Sequence, residues 1–212
     1  GTGLLVAVVV GSGIAAQRLS ASDVGLQLLE NSLATALGLA VLIMTFQTVS
    51  GSHFNPLVTF ADRALGADLG PRAIVAYVAS QIIGAIGGAV VANAMFVTAT
   101  SISHTDRLTP GHLLGEVVAT AGLILLIFAL ARTGRVAVVG PAVGAYIGAA
   151  YWFTSSTSFA NPAVTIGRIF TDTFAGIAPV SALWFLFAQL VGAVIGTALV
   201  LLFFPIDRKA SA

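Results

Sequence analysis

Ser52-His53-Phe54-Asn55-Pro56-Leu57-Val58-Thr59 and Ser158-Phe159-Ala160-Asn161-Pro162-Ala163-Val164-Thr165 decide how this chain is read. Each sets an Asn-Pro pair at the head of a short apolar segment and follows it with Val-Thr. The two asparagines stand 106 residues apart in a chain of 212, one in each half. Asparagine is a preferred N-cap and proline a preferred first helical residue, so each motif predicts a helix start. The segments run from Asn55 to Asp62-Arg63 and from Asn161 to near Asp172. Both are too short to cross about 30 Å of hydrocarbon, which takes about 20 helical residues. Their surroundings are too apolar for a wet surface, so two helix starts are expected inside a membrane.

Composition agrees. The chain is 58% hydrophobic and 8% charged, where a soluble domain carries roughly 25% charged residues. A net charge of +1 speaks against a nucleic-acid partner. The absence of cysteine excludes disulfides, thiol catalysis and Cys-ligated metals. His104 and His112 flank a polar loop with no third ligand at metal spacing, so neither a metal nor a cofactor is expected. With no nucleophile–base set, phosphate loop or carboxylate pair, the chain does not read as an enzyme. Its start at Gly1 inside an apolar run reads as a truncated first span, not a signal peptide.

Six long spans are expected, at 1–17, 31–51, 73–97, about 112–131, 136–157 and 180–204. The order is span, span, half-span, span, repeated. This gives an all-α membrane protein with six transmembrane helices and two re-entrant half-helices, one channel domain over 1–212 with halves near 1–100 and 101–212. A second anchor supports the repeat: Gln81-Ile82-Ile83-Gly84-Ala85-Ile86-Gly87-Gly88 matches Gln189-Leu190-Val191-Gly192-Ala193-Val194-Ile195-Gly196 at an offset of 108. Three spans per half make the repeat inverted, and Gly84/Gly88 and Gly192/Gly196 are small-xxx-small pairs suited to close helix packing. With both termini cytoplasmic, Arg63, Arg72, Arg132, Arg135, Arg208 and Lys209 lie inside against Arg18, Arg107 and Arg168 outside, as the positive-inside rule asks.

Two half-helices entering from opposite faces meet by their N-termini, each carrying roughly +0.5 charge and free N–H groups. That junction repels cations, and the Asn55 and Asn161 amides can donate to a passing oxygen and interrupt a proton wire. The stretches ahead of each cap, Gly51-Ser52-His53 and Thr157-Ser158-Phe159, can offer backbone carbonyls. Small, neutral, hydroxylated solutes suit such a path. An ion-coupled transporter would need an ionisable group at the midplane, and Glu116 is the one intramembrane carboxylate. Tyr151 and Trp152 read as packing residues.

On Ser50-Gly51-Ser52-His53-Phe54-Asn55-Pro56-Leu57-Val58-Thr59, on Asn161-Pro162-Ala163-Val164-Thr165, and on Glu116 four residues before Thr120, the whole chain resembles the aquaporin (major intrinsic protein) family. The resemblance implies an aquaporin-like right-handed bundle, one pore per protomer, a homotetramer in the lipid bilayer and a bacterial inner membrane. It also implies that Glu116 accepts bonds from loop N–H groups beside a half-helix; the alternative is a carboxylate that snorkels to the interface.

Two departures stand out. Leu57 replaces the usual Ala and is expected to bulk the midplane packing, altering the pore slightly. Val164 stands where the family usually has the arginine of its outer constriction. Carried over by spacing, that selectivity filter would be Thr35, Ala149, Ser158 and Val164, a ring without aromatic, His or Arg, and therefore wide. Arg168 lies one turn beyond Val164, about 6 Å further out. It is read either as restoring the constriction, which would make a water-selective channel, or as pairing with Asp172 or headgroups. Phe159 to Pro179 looks like the aquaporins of bacterial arsenic-resistance operons. The expected function is thus a passive channel for water, glycerol-like polyols and metalloid hydroxides such as arsenite or methylated arsenicals.

Overall fold

A computed structural model of the protein describes residues 1–205; Arg208 and Lys209 of the basic count lie outside the described residues. Eight α-helices occur among them: α1 (Thr2–Leu19), α2 (Val24–Ser50), α3 (Pro56–Ala64), α4 (Pro71–Met95), α5 (Pro110–Arg132), α6 (Val139–Phe153), α7 (Pro162–Gly167) and α8 (Pro179–Phe203). A 3-10 turn, Val136–Val138, leads into α6, and another, Arg168–Phe170, continues α7. Together with the turn before α6, six of these elements are long and apolar enough to span a bilayer. Helices α3 and α7 are the short pair, so the order is two spans, a half-helix and a span, twice over.

The ends of the helices follow local chemistry. Pro opens α3, α4, α5, α7 and α8 at the first turn, where its missing N–H costs nothing. Helix α2 begins at Val24 and not at Asn31, because Asp23 caps it by accepting from Leu26 N at 2.9 Å. Glu30, inside that extension, accepts from the Ser20 hydroxyl at 2.8 Å. Helix α6 stops at Phe153, short of the expected 157, and the chain runs on without regular structure to Asn161.

Close packing of the spans rests on glycine. In α8, a Cβ on Gly192 would stand 2.9 Å from Thr120 Cβ and one on Gly196 2.9 Å from Ile124 Cβ, both in α5. The matching pair in α4, Gly84 and Gly88, lies against the backbone of Gly3 in α1. The repeat is therefore one of contacts as well as of letters: α1 packs on α4 as α5 packs on α8. At one end of the bundle Arg132 donates to the carbonyls of Phe204 and Leu65. At the other, Arg18 donates to Phe96 O at 2.6 Å, and the loop from 101 to 109 bonds to residues 169–181 (Ser103 N to Ile169 O, Ala178 N to Thr105 O, both 2.8 Å).

Candidate functional site

The half-helices meet at their caps. Asn55 Oδ1 accepts from Leu57 N at 2.9 Å, and Asn161 Oδ1 accepts from Ala163 N at 3.0 Å and Val164 N at 3.3 Å. Each amide then crosses to the other loop: Asn55 Nδ2 donates to Ala160 O at 2.8 Å and Asn161 Nδ2 to Phe54 O at 2.9 Å. One N–H of each asparagine is spent on this cross-link, and the second remains for the lumen that both residues line.

That lumen is a cavity of about 350 Å³. Its lining includes Gly51, Ser52, His53 and Asp62, with His53 Nε2 3.6 Å from Asp62 Oδ2. Its walls are aliphatic, from Leu5, Val9, Leu39, Ile43, Val143 and Ile147 among others. It is bordered as well by Thr35, Tyr151, Ser158, Phe159, Val164 and Arg168.

Several expectations change here. Ala149 does not border the cavity and is exposed on the opposite face of α6. Two residues of helix turn a side chain by about 200° at 3.6 residues per turn, and the lining positions are Val139, Val143, Ile147 and Tyr151. Tyr151, read as packing, takes the place; its hydroxyl shares a hydrogen bond with Thr35 Oγ1 at 3.1 Å. The ring expected to lack aromatic and cationic groups includes both, because Arg168 is 2% exposed and borders the same cavity. It does not pair with Asp172, which accepts instead from His104 N at 2.9 Å and meets His104 Nδ1 at 3.1 Å. Leu57 points away from the lumen, into a cluster with Ile124, Phe128, Ala193 and Val200, so its bulk fills helix packing and not the pore. Thr157 lies outside the lining.

The loop carbonyls are unequal. Ser52 O accepts from Phe54 N, and His53 O from Gln81 Nε2. The second loop is the more unusual in its backbone. Thr157, Ser158 and Ala160 have φ of 61°, 50° and 47°, a left-handed region that disfavours side chains. Glu116, fully buried in α5, holds it: Oε1 accepts from Phe159 N at 2.9 Å and Oε2 from Ala160 N at 2.8 Å. It does not snorkel. Gln189 of α8 donates both to Glu116 Oε2 at 2.6 Å and to Thr165 Oγ1 at 2.9 Å, and Thr165 Oγ1 donates to Asn161 O at 2.8 Å. Its repeat partner Gln81 donates to Thr59 Oγ1 at 3.1 Å, and Thr59 reaches Asn55 O at 3.4 Å. The Val-Thr of each motif and the glutamine of each anchor thus form one chain of bonds, visible in the sequence only as matching letters.

A family profile described as major intrinsic protein matches residues 1–155. The chain belongs to the major intrinsic protein family. Among curated members, the aquaglyceroporin AqpS of Rhizobium meliloti is 48% identical over 200 residues, 94% of this chain and 84% of that protein. A probable TIP-type aquaporin of Medicago truncatula is 35% identical over 176 residues, 74% of this chain and 66% of its own length. In fold, the X-ray structure of the aquaglyceroporin from Plasmodium falciparum matches with a TM-score of 0.68 at 20% identity, covering 93% of this chain and 91% of the other. This major intrinsic protein is an integral, multi-pass membrane protein and a passive channel for small solutes.

Proposed function

We propose that the channel passes small uncharged hydroxylated molecules: water, glycerol-like polyols, and metalloid hydroxides such as arsenous acid and its methylated relatives. The observation that carries this reading is the lining of the cavity. Amide donors of Asn55 and Asn161 stand at its centre, hydroxyls of Thr35, Tyr151 and Ser158 near its outer end, and aliphatic side chains along the rest. A solute with several oxygens on a short carbon or metalloid centre meets polar groups on one side and apolar wall on the other. Likeness to an aquaglyceroporin supports a solute larger than water. Thr35, Ser158 and Val164 set the size limit together with Tyr151 and Arg168, and the carbonyls of Gly51 and Phe159 serve as acceptors. His53 belongs to the inner vestibule. Cations are kept out by the two helix N-termini and by Arg168.

The remaining assignments belong to the same reading. The protomers form a homotetramer with a pore in each, in a bacterial inner membrane, with cytoplasmic termini that place Arg63, Arg72, Arg132 and Arg135 inside. The chain is a channel and not an enzyme, and needs no cofactor. A water-selective variant of the reading is favoured by Tyr151 and Arg168, which narrow the outer end.

Stopped-flow light scattering on proteoliposomes separates the two. After jumps of glycerol, urea or arsenous acid, protein-dependent shrinkage followed by reswelling is expected. Fast shrinkage with no reswelling in any of the three selects the water-selective form, and no protein-dependent flux at all removes the channel reading.

A further inference from the structure

Phe159 has two guanidinium groups beside its ring. Arg168 Cζ lies 3.4 Å from its ring centroid and Arg107 Cζ 5.4 Å from it. Arg168 borders the inner cavity; Arg107, from the loop before α5, borders a separate outer cavity of about 370 Å³ with Gln17, Asp106, His112 and Asp172. No described residue lines both cavities; Phe159 and Arg168 border the first and Arg107, close to the same ring, borders the second.

The same two arginines share out a run of three carbonyls. Arg107 Nη2 donates to Phe174 O at 2.8 Å, Arg168 Nε donates to Ala175 O, and Arg107 Nε donates to Gly176 O at 2.8 Å. Gly176 admits no side chain, since a Cβ would run into Ser103 Oγ and Thr171 O. The Thr171-to-Gly176 stretch is thereby a carbonyl rack for two cations. Arg107 is itself pinned, its N–H donating to Ser181 Oγ at 3.0 Å and its carbonyl accepting from His112 Nδ1 at 2.7 Å. Arg168 spends only Nε on protein. Its Nη1 and Nη2 donate to no described residue, although the side chain is almost wholly buried against the cavity.

We infer that Arg107 is a positioning residue of the outer constriction: it fixes Phe159 and the 174–176 carbonyls so that Arg168 presents its two terminal amino groups to the solute. The arginine absent at position 164 is thus replaced by a pair, one member facing the pore and the other behind it. A planar fork is needed at Arg107, because a lysine ammonium does not bridge Phe174 O and Gly176 O in one plane. The ligand class is a neutral molecule with oxygen acceptors, and a cation is refused. This rests on the channel reading above.

The test uses the full chain in proteoliposomes, as wild type, R107M, R107K, R168M and R107M/R168M. Two ratios are measured, glycerol over ribitol permeability and proton over water permeability, since ratios do not depend on how much protein inserts. R107M is expected to shift both by about two- to tenfold, the size of one net hydrogen bond. R107K is expected to shift them equally, and the double variant no further than R168M alone. Unchanged ratios in R107M with a lower total flux would reduce Arg107 to a structural role, and additive shifts in the double variant would show that it does not act through Arg168. If R107M does not insert, R107K, which keeps the charge and the stem, carries the same decision. A wild type that passes only water would end the polyol reading, yet its proton-to-water ratio would still judge Arg107.

Discussion

A single carboxylate shows how much one residue holds at membrane depth. Glu116 accepts from two successive backbone N–H groups and from Gln189, all buried. Those N–H groups belong to a segment with three left-handed residues, a cost of roughly 1–2 kcal/mol at each. Charge-assisted bonds to a carboxylate are about twice as strong as neutral ones, so Glu116 offsets strain that a neutral acceptor does not. Glu116→Gln keeps the shape but turns one acceptor into a donor, leaving Ala160 N or Phe159 N unsatisfied at about 1–3 kcal/mol. The melting temperature in detergent is expected to fall by about 5 °C for a chain of this size. An unchanged melting curve would mean that other contacts hold the second loop.

Between elements, the spacing of small residues is what lets α5 carry Glu116 within reach of α8 and Gln189. Gly192→Leu would drive a side chain into Thr120 and the Val117 carbonyl, and overpacking of this kind costs about 1–3 kcal/mol or more. Gly87, where a Cβ would meet nothing within 4 Å, should accept leucine. Monodispersity and melting of the two variants compare them directly, and equal behaviour would deny the α5–α8 contact its role. Much of this level is legible in the sequence. Long apolar runs, the doubled Asn-Pro and the doubled Gln-x-x-Gly mark six spans, two half-helices and their pairing, because each is a local or periodic signal. What is not legible depends on where a helix stops. The span before Asn161 reads as unbroken to 157, but it ends at Phe153 and the following seven residues turn through left-handed backbone. Counting back from Asn161 without that break selects Ala149 in place of Tyr151, although the four-residue period Val139, Val143, Ile147, Tyr151 is there to be followed. The start of α2 is hidden for the opposite reason: Glu30 resembles the end of a loop, while Ser20 and Asp23 make it part of a capped helix. Arg107 lies beyond sequence reasoning, since its partners at 159, 174 and 176 are brought together only by the fold.

For the molecule as a whole, the decisive feature is that two helix N-termini from opposite halves point at one place. Each contributes roughly half a positive charge, and each asparagine keeps one N–H for the lumen after the cross-links to Ala160 O and Phe54 O. In the proposed reading an oxygen there is held by donors from both sides, which interrupts a chain of waters that could carry a proton. Asn161→Asp tests this without dismantling the cap, because aspartate is as good an N-cap as asparagine and can keep the bonds from Ala163 N and Val164 N. What changes is the other oxygen, which replaces a donor to Phe54 O and places a full negative charge against two half positives. The barrier to cations should fall, so liposomes loaded with a pH-sensitive dye are expected to acidify faster, by about five- to thirtyfold for a change of one to two kcal/mol. Water flux measured on the same vesicles sets the scale. If proton leak stays at the wild-type level while water still passes, the barrier does not lie at the paired asparagines, and the guanidinium of Arg168 at the outer end must supply it alone.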